Sequence, residues 1–216
     1  MIYVTGDMHG ELEVFSERKL GQIKKNDTLI VTGDFGFIWN GSKEEQKNLK
    51  KLGKKKYNIL FVEGARENLE LIKQHEEVDF CGGKAYRITD NIYCLKRGDI
   101  YTIEGRRILA LGGGLPPFED QDEENPPSMP TDDELNQTVE NLQAHHREVD
   151  IIITHEAPAS VKKLIDRRAA INDLNIFLDT VLHNTRCGKW FFGSLHQDRA
   201  ISENLICVFE DVYGIR

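Results

Sequence analysis

Two carboxylates and three imidazoles stand out for where they fall: Asp7, Asp34, His9, His155 and His196. Such a donor set suits a borderline divalent cation, Mn²⁺, Fe²⁺ or Zn²⁺. Asp7-Met8-His9 offers two donors on one side of an extended segment, because alternate residues share a face. Each of the five follows a short apolar run, directly or after a glycine turn: Gly6-Asp7-Met8-His9, Gly33-Asp34, Thr154-His155 and Gly193-Ser194-Leu195-His196. A further run, Phe61-Val62-Glu63, leads into Gly64-Ala65-Arg66-Glu67. A lone Gly-Asp or a lone histidine is commonplace, and the recurrence of ligand-type residues at the same place is what carries weight.

The apolar runs are Ile2–Thr5, Leu29–Thr32, Ile59–Val62, Ile151–Thr154 and Lys189–Phe192. They are continuously apolar instead of alternating, the pattern of strands buried on both faces. Polar, helix-favouring stretches separate or follow the first three: Glu11–Leu20, Ser42–Leu52 and Glu67–Gln74. Strand–helix alternation implies parallel strands with helical crossovers. In such sheets ligands bind outside the carboxyl ends of the strands, where the five candidate ligands lie.

The middle of the chain reads differently. Ala85–Ile88, Ile92–Leu95, Ile100–Ile103 and Arg107–Leu111 are short strands separated by turn residues, which predicts hairpins. Ala200–Ser202 and Leu205–Glu210 look similar. The expectation is an α/β fold with two sheets, one of crossover units and one of hairpins, and helices outside. Thr131–Glu148 reads as a helix with a capping box from Thr131 and Glu134, and Asp173–Asn184 as another. Pro116–Pro130, rich in proline and acidic residues, reads as a surface loop. Gly112-Gly113-Gly114 reads as a tight turn, and Trp39 and Trp190 as core residues.

At 216 residues the chain suits one domain, residues 1–216. A net charge of −8 opposes broad attraction to nucleic acid or to an anionic membrane surface. The N-terminus lacks a signal-peptide pattern and no apolar run reaches the ~20 residues of a bilayer span, so the expected location is cytoplasmic. Cys81, Cys94, Cys187 and Cys207 are widely spaced, which predicts reduced thiols. The six lysines of Lys47–Lys56 read as a solvated helix face in preference to a basic patch. Asp34-Phe35-Gly36 is no kinase signature, because the accompanying kinase motifs are missing, and no P-loop is present.

The ordered blocks Gly6-Asp7-Met8-His9-Gly10, Gly33-Asp34-Phe35-Gly36, Gly64-Ala65-Arg66-Glu67, Thr154-His155-Glu156-Ala157-Pro158 and Gly193-Ser194-Leu195-His196 resemble the fingerprint of calcineurin-like metallophosphoesterases. The resemblance runs nearly the whole chain and is nearest to small bacterial and phage-type members. It implies a two-sheet β-sandwich core flanked by helices and a pair of adjacent divalent metals. By resemblance, Asp7, His9, Asp34 and His196 hold the first metal. The second shares Asp34 and uses His155, an asparagine where this chain has Ala65, and a histidine where it has Ser194. Arg66 stands at the position of the general-acid histidine. Arginine does not release a proton near neutral pH, but it can bind phosphate through a two-bond fork.

The departures cluster in the second-metal half. They favour a family member that binds one divalent metal and a phosphate-containing ligand, with weak or no hydrolysis. Two other readings stand beside it. One is a single-metal phosphoesterase or phosphodiesterase using Arg66 against good leaving groups. The other is a metal-free interaction protein whose contact surfaces for a protein partner are the acidic loop and the lysine face.

Overall fold

A computed structural model describes residues 1–15, 20–65, 67–115 and 128–215. Arg66 and residues 116–127, most of the expected acidic loop, lie outside the described residues.

The strands of the first sheet are β1 (Ile2–Thr5), β2 (Thr28–Val31), β3 (Asn58–Phe61), β4 (Glu76–Phe80), β5 (Gly83–Thr89), β6 (Ile92–Leu95) and β13 (Tyr213–Ile215), in the order β13-β1-β2-β3-β6-β5-β4. The second contains β7 (Ile100–Ile103), β8 (Arg106–Leu111), β9 (Glu148–Thr154), β10 (Arg186–Phe192), β11 (Arg199–Ala200) and β12 (Leu205–Cys207), in the order β11-β12-β10-β9-β8-β7. Helices are α1 (Lys43–Leu52), the single turn α2 (Leu69–Ile72), α3 (Asp132–Ala144), α4 (Ala159–Ile165) and α5 (Asp173–Asn184). A 3₁₀ turn spans Leu12–Phe15.

Side-chain alternation explains why the strands are apolar throughout. Ile2, Val4, Ile30, Leu60 and Val62 of the first sheet face Ile108, Ala110, Ile151, Ile153 and Phe191 of the second, forming the core between the sheets. The intervening residues point the other way. Tyr3, Leu29, Val31, Ile59 and Phe61 pack with Leu52 and Ile72 on one outer face. Val149, Ile152, Trp190 and Phe192 pack with Leu142, Val161, Leu174, Leu178 and Val181 on the other. The result is helix, sheet, sheet, helix, with both sheets covered on both faces as parallel strands require.

Helix ends follow the sequence signals. Thr131 accepts from the Glu134 backbone amide and the Glu134 side chain returns the bond, closing the expected capping box. Asn172 and Asn175 form a second one at the start of α5, which spans the expected Asp173–Asn184.

Several expectations are corrected. The sheets do not divide into crossover and hairpin sheets. Each has a parallel centre and a hairpin edge: β1-β2-β3-β6 are parallel with β4-β5-β6 antiparallel, and β8-β9-β10-β12 are parallel with β7-β8 antiparallel. Local turn chemistry marks a hairpin but not which sheet its second strand joins. Helix α2 covers only the middle of Glu67–Gln74, because the chain turns at once into β4. Helix α4 and strands β4 and β13 carried no sequence expectation. Trp39 is not a core residue: it is 45% exposed, whereas Trp190 is buried with its indole N–H donating to Thr154 Oγ1 at 2.9 Å. Of the cysteines, all free, Cys94 and Cys207 are buried and Cys81 is exposed.

Candidate metal centre

Parallel register aligns the strand ends. Thr5 pairs with Val31, Val31 with Phe61, Leu111 with Thr154 and Phe192 with Cys207. The segments that follow therefore emerge side by side, and both sheets deliver theirs to one rim. The Met8 and His9 amides donate to Asp34 O at 3.0 and 2.8 Å, and the Gly193 and Ser194 amides to His155 O at 3.1 and 3.0 Å. Backbone bonds thus tie the first block to the second and the fourth to the last.

At that rim Asp7, His9 and His196 bring ligand atoms within 4.8 Å of one another, and so do Asp7, Asp34 and His155. All five candidate ligands therefore converge. His196 Nε2 lies 3.0 Å from Asp7 Oδ2, and His9 Nδ1 lies 3.9 Å from Asp34 Oδ2. His155 stands between the carboxylates, with Nδ1 3.7 Å from Asp7 Oδ1 and Nε2 4.0 Å from Asp34 Oδ1. Asp7 therefore borders both groups. Asp7, Asp34 and His155 are buried, while His9 and His196 lie toward solvent.

The local backbone is bent to hold this arrangement. His9, Asp34 and His196 adopt φ of 48°, 41° and 49°, a left-handed region that ordinary side chains avoid and that concentrates at functional sites. Glycine makes room for the ligands. A Cβ on Gly193 would fall 2.2 Å from Asp7 Oδ1, and one on Gly33 would fall 2.2 Å from His155 Nδ1.

The electrostatics ask for a cation. Asp7 Oδ1 and His155 Nδ1 are buried and have no hydrogen-bond partner among the described residues. Burial alone would lower the pKa of His155, but Asp7 and Asp34 outweigh it and raise it to about 10. Burial would raise that of Asp7, yet His155 and His196 hold it below the ordinary carboxylate value. The hydrogen bond to Asp7 raises His196. A protonated imidazole between two carboxylates occupies the place that a divalent cation fits, with oxygen and nitrogen donors of the right kind.

The departed positions behave differently. Ala65 is buried and brings no donor. The Ser194 hydroxyl is buried without a hydrogen-bond partner among the described residues. Arg66, expected at the general-acid position and as a phosphate contact, lies outside the described residues.

Two contributors had no role assigned from sequence. Glu67 is buried and accepts from the Gly64 amide at 2.5 Å and the Gly36 amide at 2.9 Å, stapling the second and third blocks together. Burial, then the charge of Asp34, pushes its pKa up to about 8. Its place at the end of the Gly64-Ala65-Arg66-Glu67 block was the available signal. Phe209 stacks on His196 at 4.9 Å between centroids and meets His9 edge-on at 6.4 Å. Asp198 fixes that segment by accepting from the Phe209, Glu210 and Asp211 amides at 2.8, 3.0 and 3.1 Å. No motif announces Phe209.

A family model for calcineurin-like phosphoesterases matches residues 1–193. No curated protein matches the chain. Among solved structures, a protein of unknown function from Aquifex aeolicus is similar, with 17% identity over 87% of each chain and a TM-score of 0.41, a likeness too slight to carry argument. The family match covers most of the chain and includes four of the five motif blocks together with the glycine that opens the last. This chain belongs to the calcineurin-like phosphoesterase family.

Proposed function

We propose that this protein holds one divalent metal at Asp7, His9, Asp34 and His196, and binds a phosphate-containing ligand there with weak or no hydrolysis. The observation that carries the reading is the contrast within the site. Ligand atoms of Asp7, His9 and His196 converge, as do those of Asp7, Asp34 and His155, whereas Ala65 supplies no donor and a serine, Ser194, stands where the resemblance implies a histidine. His155 remains as a partner to the carboxylates. A bound divalent cation would supply positive charge for phosphate oxygens and lower the pKa of a coordinated water. The chain's own residues fix its position: Glu67 and Asp198 brace the loops, and Phe209 keeps one side of His196 out of water. Losing a single catalytic donor costs about 10²–10³ in rate, and the asparagine, one histidine and the general acid are all replaced here. The losses need not multiply, since groups that act together are not additive.

The test pairs metal analysis with turnover. Protein purified with Mn²⁺ should retain close to one equivalent of metal, lost in Asp7→Ala, and hydrolyse bis-p-nitrophenyl phosphate no faster than its Asp34→Ala variant. Robust Mn²⁺-dependent turnover abolished by Asp34→Ala would sink the weak-hydrolysis reading. Retention of two equivalents would sink the single site.

A further inference from the structure

Beside the metal centre, between the segment Gly10–Glu13 and helix α1, runs an open groove of about 540 Å³. Lys43, Lys47 and Lys51 line it together with Asn48 and with Gly10, the residue after His9. The three lysines recur every four residues, so one face of α1 presents them in a row. With a rise of about 1.5 Å per residue the row spans about 12 Å. All three are exposed, and none forms an ion pair among the described residues. Glu45, elsewhere on α1, accepts from the Trp39, Asn40 and Gly41 amides at the start of the helix.

We propose that this groove is an anion subsite that takes the phosphate chain of a compact, multiply phosphorylated small molecule, its nearest phosphate lying toward the metal centre. A row of that length exceeds one phosphate, so a ligand must carry several anionic groups in line to meet all three ammonium groups. The groove is of the size that small ligands occupy. A long polyanion is disfavoured, because Glu13 and Glu44 also line the groove and the chain as a whole carries a net charge of −8. The orientation toward the metal rests on the function proposed above. Anion binding by the lysines does not.

Titration calorimetry of inorganic tripolyphosphate into metal-free full-length protein separates the two. Saturable binding is expected, weakened about tenfold by Lys47→Glu/Lys51→Glu as two charge-assisted contacts are lost. Lys54→Glu/Lys56→Glu makes the same change in net charge outside the groove and should leave affinity within about twofold, as should Asp7→Ala. Absence of binding, equal weakening by both lysine pairs, or insensitivity to Lys47→Glu/Lys51→Glu would overturn the subsite. Tighter binding of a single-stranded oligonucleotide than of tripolyphosphate would overturn the compact ligand. Circular dichroism checks that the exposed substitutions leave the fold intact. Retention of metal by Lys47→Glu/Lys51→Glu keeps this result apart from the metal test: the groove can fail while the metal reading stands, and the reverse.

Discussion

At the scale of single residues, the site is a charge-balancing problem. Asp7 and Asp34 are buried, and without a metal the proton on His155 balances them. Metal must therefore displace that proton. Calorimetry at pH 7 in buffers of different ionisation enthalpy should show about one proton released per metal bound, and less in His155→Ala. The same group predicts a pH dependence for the metal-free protein. Its folded pKa of about 10 exceeds the ordinary 6.5, so its stabilising contribution is complete below 6.5 and disappears as pH rises through 10. Urea midpoints measured across that range should fall for the parent and stay flatter for His155→Ala. Gly193 gives a steric test. Alanine there places a methyl carbon 2.2 Å from Asp7 Oδ1, so Gly193→Ala should lose metal while keeping its circular dichroism spectrum.

Among the secondary-structure elements, the rim is held by a buried ionic clip. Arg97, just after β6, donates to Glu63 at 2.5 Å, to Glu134 on α3 at 2.9 Å, and to the Ser128 and Met129 carbonyls at 3.1 and 3.0 Å. Glu63 ends the β3 segment, and its carbonyl accepts from Gly113 at 2.7 Å. One guanidinium thereby connects β3, β6, α3 and the segment that follows β8. Removing one member of a buried pair strands the other charge and typically costs about 3–5 kcal/mol. Arg97→Met should show a loss of that size in urea denaturation. A loss below about 1 kcal/mol would mean that water readily reaches the stranded Glu63 carboxylate. Glu134, held below its ordinary pKa as the nearby Arg97 outweighs burial, adds stability that is present above about pH 4.5 and disappears as pH falls.

For the molecule as a whole, the inter-sheet core draws on both sheets and couples them. Its residues run from Ile2 to Val208, so a cut between the two sheets would divide it. Denaturation should therefore give one transition, coincident by tryptophan fluorescence and by far-ultraviolet circular dichroism. The buried Trp190 reports on the second sheet. Metal bound only by the folded state should move that single transition upward, by about 2.7 kcal/mol at a hundredfold excess over Kd. A separate, metal-insensitive transition would show that the sheets unfold independently.

Much of this was legible in the sequence, for local reasons. Continuous apolar runs marked strands buried on both faces, and glycine followed by a ligand-type residue marked the strand ends. Thr131 with Glu134 marked a helix start. Long-range pairing was not legible. Nothing local in Arg107–Leu111 says that it sits beside Ile151–Thr154 and not beside Ile59–Val62, because both partners are equally apolar. Trp39 shows the same limit: an aromatic side chain does not announce whether its neighbourhood closes over it. The ligand types were fixed by the residues themselves, since carboxylate and imidazole chemistry travels with the side chain. Their convergence was decided by tertiary structure. Only the register of two sheets brings Asp7 and His196 within 3.0 Å across 189 residues of chain, and places His155 between two carboxylates.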